Sequence, residues 1–339
     1  MSDLHCTYAF NDGFVRQGLI SIYSLLQVTG GKVTVVIHID YEPEELSAGI
    51  ATLKALFPAA TLEVRINDTL PQDGHPYIKH GRPYTHWMLP ALTATHCKTL
   101  FVDGDTVFVD DPSALFATKL GTAKVAGSPD TPYEIFYRKM QFWSRFGALG
   151  RKLSGHARQM IQRNKRDLDM SGYINAGIAL VDMPAIHAAG KTALLDDFKT
   201  YSEVYDRQGW TNYDQDWVNY LFGTQEAAIK LVDPRWNLLA NLANPDRFWS
   251  IAIPAAMRKR YRAARRNPAL YHFAGDSFKP WQTKKIRRPM TPLQKQALGA
   301  WYAAADSYRQ KTGQPLPPMR DKIVQIAEKK RAPWDPLFS

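Results

Sequence analysis

Leu100-Phe101-Val102-Asp103-Gly104-Asp105-Thr106-Val107-Phe108-Val109 is an apolar run interrupted by two carboxylates one residue apart. In extended chain, residues two apart share a side, so Asp103 and Asp105 can converge on one hard divalent cation. Asp-Gly between apolar runs is also a strong hairpin signal, so the same residues can be read as a plain turn. The stretch closes a longer alternation. Leu4 to Phe10 reads as a strand, and after Asn11-Asp12-Gly13 a helix presents Val15, Leu19, Ile22, Leu25 and Leu26 on one face. Val33 to Ile39 is near-continuously apolar, as expected of a parallel strand buried on both faces. A helix from Pro43 to Leu56, a strand over Thr61 to Ile66, a helix over Tyr84 to Thr95 and a strand over Thr99 to Val102 follow. This βαβα order predicts an α/β fold, a mostly parallel sheet flanked by helices. Such sheets bind ligands beyond the carboxyl ends of their strands, which directs attention to the turns after Phe10 and Val102.

The whole chain of 339 residues, with 45% hydrophobic side chains, has enough apolar material for a large core. Two cysteines, Cys6 and Cys97, stand in apolar surroundings without partners at metal-ligand spacing and read as core residues of a reducing compartment. The first thirty residues lack the basic start and unbroken apolar stretch of a signal peptide, and no uninterrupted membrane-length apolar segment occurs, so a soluble protein is expected. Forty-three Lys and Arg against 32 Asp and Glu give a net charge of +11, which favours an anionic partner. No nucleic-acid motif accompanies the basic runs, so nucleic acid is not the expected one.

From Ile135 to Arg166 the chain carries Arg138, Lys139, Arg145, Arg151, Lys152, Arg158, Arg163, Lys165 and Arg166 without one acid. This reads as a basic insertion, about residues 135 to 170, suited to a phosphate-bearing or acidic acceptor. Strand sequence resumes at Tyr173 to Asp182, helices are expected over Pro184 to Tyr205 and Tyr213 to Phe222, and short strands near Ile229 to Val232 and Leu270 to Phe273. Two helical stretches, about Pro292 to Lys311 and Met319 to Lys330, follow Trp281. The domain reading is a catalytic domain over residues 1–285 and a helical, basic and aromatic appendage over 286–339.

Three further segments carry polar groups at element ends. Tyr173-Ile174-Asn175-Ala176-Gly177 sets an amide and small residues before a buried strand, where a ligand can approach the backbone. Tyr213-Asp214-Gln215-Asp216 opens a helix with acids, which ordinarily act as caps. Tyr271-His272-Phe273-Ala274-Gly275-Asp276-Ser277-Phe278-Lys279-Pro280-Trp281 brings an imidazole that could complete a metal shell and a lysine that could meet phosphate charge.

In order and spacing these segments, with Tyr8-Ala9-Phe10-Asn11-Asp12-Gly13-Phe14 and Pro234-Arg235-Trp236-Asn237, resemble the family 8 glycosyltransferases over about residues 4 to 282. That family includes bacterial lipopolysaccharide α-galactosyl- and α-glucosyltransferases and glycogenin-type starters. The resemblance implies a GT-A fold, a UDP-sugar donor, Mn²⁺ with Mg²⁺ as the substitute, and transfer of a hexose with retention. It implies Asp103, Asp105 and His272 as metal ligands. Ala9, Asn11 and Gly13 would lie against uracil or ribose. Asn175, Ala176, Gly177, Asp214 and Gln215 would surround the donor sugar, the last two as the catalytic pair. Gly275 and Lys279 would contact phosphate, while Gly104 and His86 would line the nucleotide-sugar site. Three departures from the family pattern stand out. Asn11 replaces an Asp whose carboxylate would accept from the uracil N–H, a bond an amide carbonyl can also accept. His86 replaces an Arg, and the closing motif is one residue longer.

The expected activity is therefore metal-dependent hexosyl transfer, of glucose or galactose, to a surface glycan or glycolipid acceptor of anionic character. Two alternatives compete. Asp-x-Asp-x-Thr/Val after an apolar strand is also the nucleophile motif of haloacid-dehalogenase-type phosphatases, in which Asp103 would attack phosphorus and Asp105 serve as acid and base. A non-catalytic protein binding an anionic polymer on a sugar-nucleotide fold is the other. Three basic groups, Arg258 to Arg266, Lys284 to Arg288 and Lys329-Lys330-Arg331 ahead of Trp334 and Phe338, predict a cytoplasmic protein peripheral to the anionic inner face of the cell membrane.

Overall fold

The apolar runs form the centre of a seven-stranded sheet in the computed structural model, which describes residues 4–66, 88–164, 168–191, 203–204, 207–208, 212–223, 229–241, 252–275, 278–281 and 290–313. The first half is β1 (Leu4–Ala9), α1 (Val15–Thr29), β2 (Val33–Ile39), α2 (Glu44–Leu56), β3 (Thr61–Ile66), α3 (Met88–Thr93), β4 (Lys98–Val102) and β5 (Thr106–Phe108). These follow the alternation read from the sequence to within a few residues. β1, β2, β3 and β4 pair in parallel, in the order β3-β2-β1-β4. Helix α1 buries Leu19, Ile22, Leu25 and Leu26 against the sheet, each worth about 1.5–3 kcal/mol of apolar burial. It stops at Gly30, whose φ of 61° is the left-handed conformation that ends helices.

The second half adds α4 (Ser113–Phe116), β6 (Val125–Pro129), α5 (Thr131–Trp143), α6 (Gly147–Leu153), α7 (Gly155–Asn164), β7 (Ile174–Asp182) and α8 (Met183–Ala188). Then come α9 (Tyr213–Phe222), β8 (Lys230–Leu231), β9 (Leu238–Leu239), α10 (Ala255–Arg266), β10 (Leu270–His272) and α11 (Pro292–Thr312). β7 inserts antiparallel between β4 and β6, and β8 closes the edge, giving β3-β2-β1-β4-β7-β6-β8. A small second sheet has the order β5-β10-β9. Of the helix expected over Pro184 to Tyr205, the described residues show α8, followed at Gly190 by a left-handed turn with φ of 66°, and helical Glu203 and Val204.

Helix α11, placed in the appendage by the sequence reading, packs Leu298, Trp301, Ala305 and Tyr308 into the same core as α1. The Tyr23 and Tyr308 rings meet edge-on at 5.5 Å. The second helical stretch, the last basic cluster and the cluster over Lys284 to Arg288 lie outside the described residues. Cys6 is buried as expected, whereas Cys97 is exposed just before β4. Among the described residues no helix is long and apolar enough to cross a membrane.

Candidate functional site

The strand order reverses direction between β1 and β4, and both strands run toward the same edge of the sheet. The turns that follow them, Asn11–Gly13 and Asp103–Asp105, thus flank the crevice where open α/β sheets bind ligands. Because β7 runs the other way, its first residues arrive at that edge, and the Asp103 N–H donates to the Gly177 carbonyl at 2.9 Å. In the small sheet His272 is paired with Thr106, and the Phe273 N–H donates to the Asp105 carbonyl at 2.9 Å. The antiparallel strand and the small sheet therefore bring Asn175–Gly177 and His272 to the two carboxylates.

The Asp103–Asp105 turn is held from beneath by hydroxyls. Thr106 donates to the Asp103 carbonyl at 2.9 Å and accepts from Ser21 at 2.8 Å, and Ser21 accepts from Tyr8 at 3.2 Å. Each hydroxyl has one proton, so the carbonyl at the end of the series sets the direction of every bond.

One oxygen of Asp103, one of Asp105 and a His272 ring nitrogen all lie within 4.8 Å of one another. His272 Nε2 stands 3.1 Å from Asp105 Oδ1 and 3.5 Å from Asp103 Oδ2, and the Lys279 ammonium pairs with the other Asp105 oxygen. Burial by itself would raise the Asp105 carboxyl, but Lys279 and His272 overcome it and hold Asp105 far below the usual carboxylate range. For Asp103, burial and then the Asp105 charge outweigh the same two cations and push it up to about 6. Burial would lower His272, yet Asp105 and then Asp103 keep its pKa above the ordinary value.

The other face of His272 is fixed by a relay of amides. The Gly177 N–H donates to Asn175 Oδ1 at 3.0 Å and the Ala176 N–H to Gln215 Oε1 at 3.2 Å; backbone N–H groups can only donate, so both oxygens are acceptors. Asn175 Nδ2 then donates to Gln215 Oε1 at 3.0 Å and to Asp130 Oδ2 at 3.1 Å, and Gln215 Nε2 to Asp130 Oδ2 at 3.1 Å and Tyr173 at 2.9 Å. The Tyr173 hydroxyl in turn donates to Asp216 Oδ1 at 2.5 Å. At the other end Asn237 Nδ2 donates to Asn175 Oδ1 at 2.8 Å, which leaves Asn237 Oδ1 facing His272 Nδ1 at 3.0 Å. His272 must therefore carry a proton on Nδ1, and Nε2 is the atom turned to the carboxylates. This is the tautomer that an imidazole needs to ligate a metal through Nε2. Two carboxylates and one imidazole suit Mn²⁺ or Mg²⁺ better than a soft ion.

The remaining residues singled out in the sequence, His86 apart, are among those described. Asn175 and Ala176 are buried at the start of β7. Asp214 is half-buried; burial, then the Asp103 charge, raises its carboxyl well above the ordinary range. Gln215 is buried with its carbonyl and both amide protons engaged in the relay. Gly104 lies over the Phe10 ring, so the two turns abut. Ala9 ends β1, and Asn11 and Gly13 form the neighbouring turn; Asn11 Oδ1 is buried without a hydrogen-bond partner among the described residues. Gly275 adopts a φ of 69° in the loop leading to Lys279, and Asn241 Nδ2 donates to the Ala274 carbonyl at 2.9 Å to hold that loop. His86 lies outside the described residues.

Sequence reasoning gave no role to Asp130, Tyr173 or Asn237, and took Asp216 as a helix cap. Asn237, Tyr173 and Asp216 had a signal in their places within quoted segments, Pro234–Asn237, Tyr173–Gly177 and Tyr213–Asp216, whereas Asp130 had none. Asn237→Ala would leave the Nδ1 proton of a buried His272 without its acceptor. Affinity for a divalent cation is expected to fall about 10–100-fold with the fold intact, as read by Mn²⁺ titration calorimetry and circular dichroism. Unchanged affinity would count against this orienting bond.

Residues 5–285 match the family described as glycosyl transferase family 8. No curated protein matches the sequence. Among solved structures, the apo bifunctional glycosyltransferase WbbM is similar with a TM-score of 0.62 at 18% identity, covering 96% of this chain and 52% of that one. This chain thus spans about half the WbbM chain. The galactosyltransferase LgtC, solved with donor and acceptor sugar analogues, gives 0.59 at 18% identity, covering 93% and 98%. GlyE of Streptococcus pneumoniae TIGR4 gives 0.53 at 14% identity, covering 94% and 66%. At such identities the likeness carries the fold.

Proposed function

The chain belongs to glycosyl transferase family 8 and has the GT-A fold, and from this premise we propose that it moves a hexose, glucose or galactose, from UDP to a hydroxyl of a surface glycan or glycolipid with retention at the anomeric carbon. The observation that carries the reading is the convergence of Asp103, Asp105 and the Nε2 of a His272 whose tautomer is locked from behind. These three residues would hold Mn²⁺, or Mg²⁺ in its place, and the ion would offset negative charge developing on the leaving diphosphate.

The residues of the chain divide the rest of the work. The orphaned Asn11 Oδ1 is an acceptor of the kind a uracil N–H requires, and Ala9 and Gly13 flank it. Lys279, paired with Asp105, is the cation that can turn to the diphosphate once a divalent ion takes over that carboxylate. Asn175, Ala176 and Gly177 form the wall beside the donor sugar. Asp214, the half-buried carboxyl that accepts from the Gln215 N–H, is the acid of the catalytic pair, and Gln215 acts through Asn175, whose amide it orients. In the transfer step the acceptor oxygen bonds to the anomeric carbon on the face from which the phosphate oxygen departs, and that oxygen takes the acceptor proton. No group of the chain has to become a covalent carrier. The acceptor is proposed to be anionic, and the place of work the inner face of the cell membrane.

A panel of UDP-sugars with Mn²⁺ tests this directly. One hexose donor should yield UDP and a product whose anomeric configuration, read by NMR, matches the donor's; release of inorganic phosphate with a phospho-Asp103 would overturn the reading in favour of a phosphatase. Cation binding should also depend on pH. Ligation replaces the Nε2 proton of His272 and requires ionised Asp103, so affinity for Mn²⁺ should fall as pH drops through about 6, with proton release visible when calorimetry is repeated in buffers of different ionisation enthalpy. A flat affinity between pH 5.5 and 8 would contradict this ligand set.

A further inference from the structure

The middle of the basic insertion has its amphipathicity inside out. Ile161, further along α7, is buried against Tyr133, Met170 and Tyr173, but from the end of α5 through α6 to the first turn of α7 the buried positions are Gly150, Ser154 and Ala157, at helical spacing. A Cβ on Gly150 would stand 1.7 Å from the Trp143 carbonyl oxygen, so this face is packed backbone to backbone. The large apolar residues point the other way: Phe146, Leu149 and Leu153, three, four and seven residues apart, are 50%, 61% and 43% exposed. The other five exposed large apolar side chains among the described residues, Tyr41, Leu56, Ile66, Val109 and Leu231, lie far apart in sequence on different elements or loops. Phe142 and Trp143 extend the patch, with the three aromatic rings 5.0–5.6 Å apart. Around it stand exposed Arg145, Arg151 and Lys152, and the segment has no acid from Ile135 to Arg166.

We propose that this face is a bilayer-docking surface, with Phe146, Leu149 and Leu153 entering the boundary between headgroups and acyl chains and the arginines and lysine meeting anionic lipid headgroups. Large apolar groups outside, small ones inside and a single sign of charge describe a helix that lies in a membrane interface. A second copy of the chain is a poor occupant, because facing patches would set like charges against each other without one carboxylate to answer them. The placement also fits the site. Helix α5 begins at Asp130, which accepts from Asn175 and Gln215 in the relay, and its 13 residues rise about 20 Å to the patch. A protein docked this way holds its crevice within reach of the headgroup layer. The inference extends the proposed glycolipid acceptor and membrane location, and it assigns the contact to the insertion instead of the chain's C-terminal basic run.

Cosedimentation of the full chain with phosphatidylglycerol-containing vesicles, against pure phosphatidylcholine vesicles, tests the proposal. The wild type should bind the anionic vesicles, with binding weakened by salt. The full-length triple variant Phe146→Ser, Leu149→Ser, Leu153→Ser should bind at least tenfold more weakly, and so should Arg145→Gln, Arg151→Gln, Lys152→Gln. The substituted side chains are solvent-facing, so both variants should keep the wild-type Tm, and the apolar variant should keep transfer to a water-soluble acceptor. Retention of vesicle binding by both variants, or loss of it only on Lys329→Gln, Lys330→Gln, Arg331→Gln, would overturn the assignment. So would a wild type that ignores the vesicles and instead dimerises through these residues in sedimentation velocity. Because vesicle binding is read without turnover, a failed transfer assay and a failed docking surface are separable.

Discussion

Asp105→Asn is expected to lower hexosyl transfer by about a thousandfold or more while the far-UV circular dichroism stays that of the wild type. The substitution preserves shape and removes one charge at the residue bonded to both His272 and Lys279. An amide there supplies at most a weak neutral ligand, and an NH₂ turned toward either cation repels it. Asp103→Asn should fall short of this loss, because Asp103 is 39% exposed and borders the crevice instead of sitting between the two cations. Steady-state kinetics at saturating Mn²⁺ check the ranking. A variant within tenfold of wild type would remove Asp105 from the set of metal ligands.

Gly177→Ala carries the second large effect, through geometry alone. A Cβ at this position would lie 2.1 Å from Cε1 and 2.2 Å from Nδ1 of His272, far inside any tolerable contact. The ring has little room to retreat, since it is buried and its Nδ1 is tied to Asn237. The strand is equally committed, because the Gly177 carbonyl accepts from Asp103. Cation affinity and transfer are both expected to fall about 100-fold or more, with a loss of about 1–3 kcal/mol in stability from overpacking. The diagnostic measurement is a double-mutant cycle on Tm. In a His272→Ala background the added methyl has space, so Gly177→Ala should then cost little. Additive losses would show that the imidazole contact is not the cause.

The strands β1, β2 and β4 were legible because a parallel strand buried on both faces is largely apolar, as in Val33–Ile39, whereas the edge strand β3 shows the alternation Thr61-Leu62-Glu63-Val64-Arg65-Ile66. β6 was not legible. It is five residues of Val-Ala-Gly-Ser-Pro, and Gly127 is there because the Ile174 side chain of β7 would lie 2.6 Å from a Cβ. The reason for the glycine lies 47 residues downstream. Helix α10 read only as a basic cluster, since its buried stripe is just Met257, Tyr261 and Ala264 among many arginines. In the candidate site, Asp103 and Asp105 were visible because their relation is local. The partnership of Asp130, Tyr173, Gln215, Asn237 and His272 was not, because each looks like an ordinary cap or turn residue until β7 and the small sheet bring them together. Asn237 and His272 meet across 35 positions, and Asp130 and Gln215 across 85.

The pairing of β5 with β10 has a consequence for how the chain acquires its native state. It closes the sequence over the interval from Thr106 to His272, and Lys279 meets Asp105 across 174 residues. Contacts of that separation are entropically late, since the intervening loop must be closed before they contribute. The three-stranded sheet is therefore among the elements that form late, together with the packing of α11 on α1, and no intermediate lacking it can present His272 to the carboxylates. A divalent ion that selects the finished arrangement stabilises only fully folded molecules. Cation retention then serves as a readout of conformational completeness, with partly folded chains distinguished by their failure to bind.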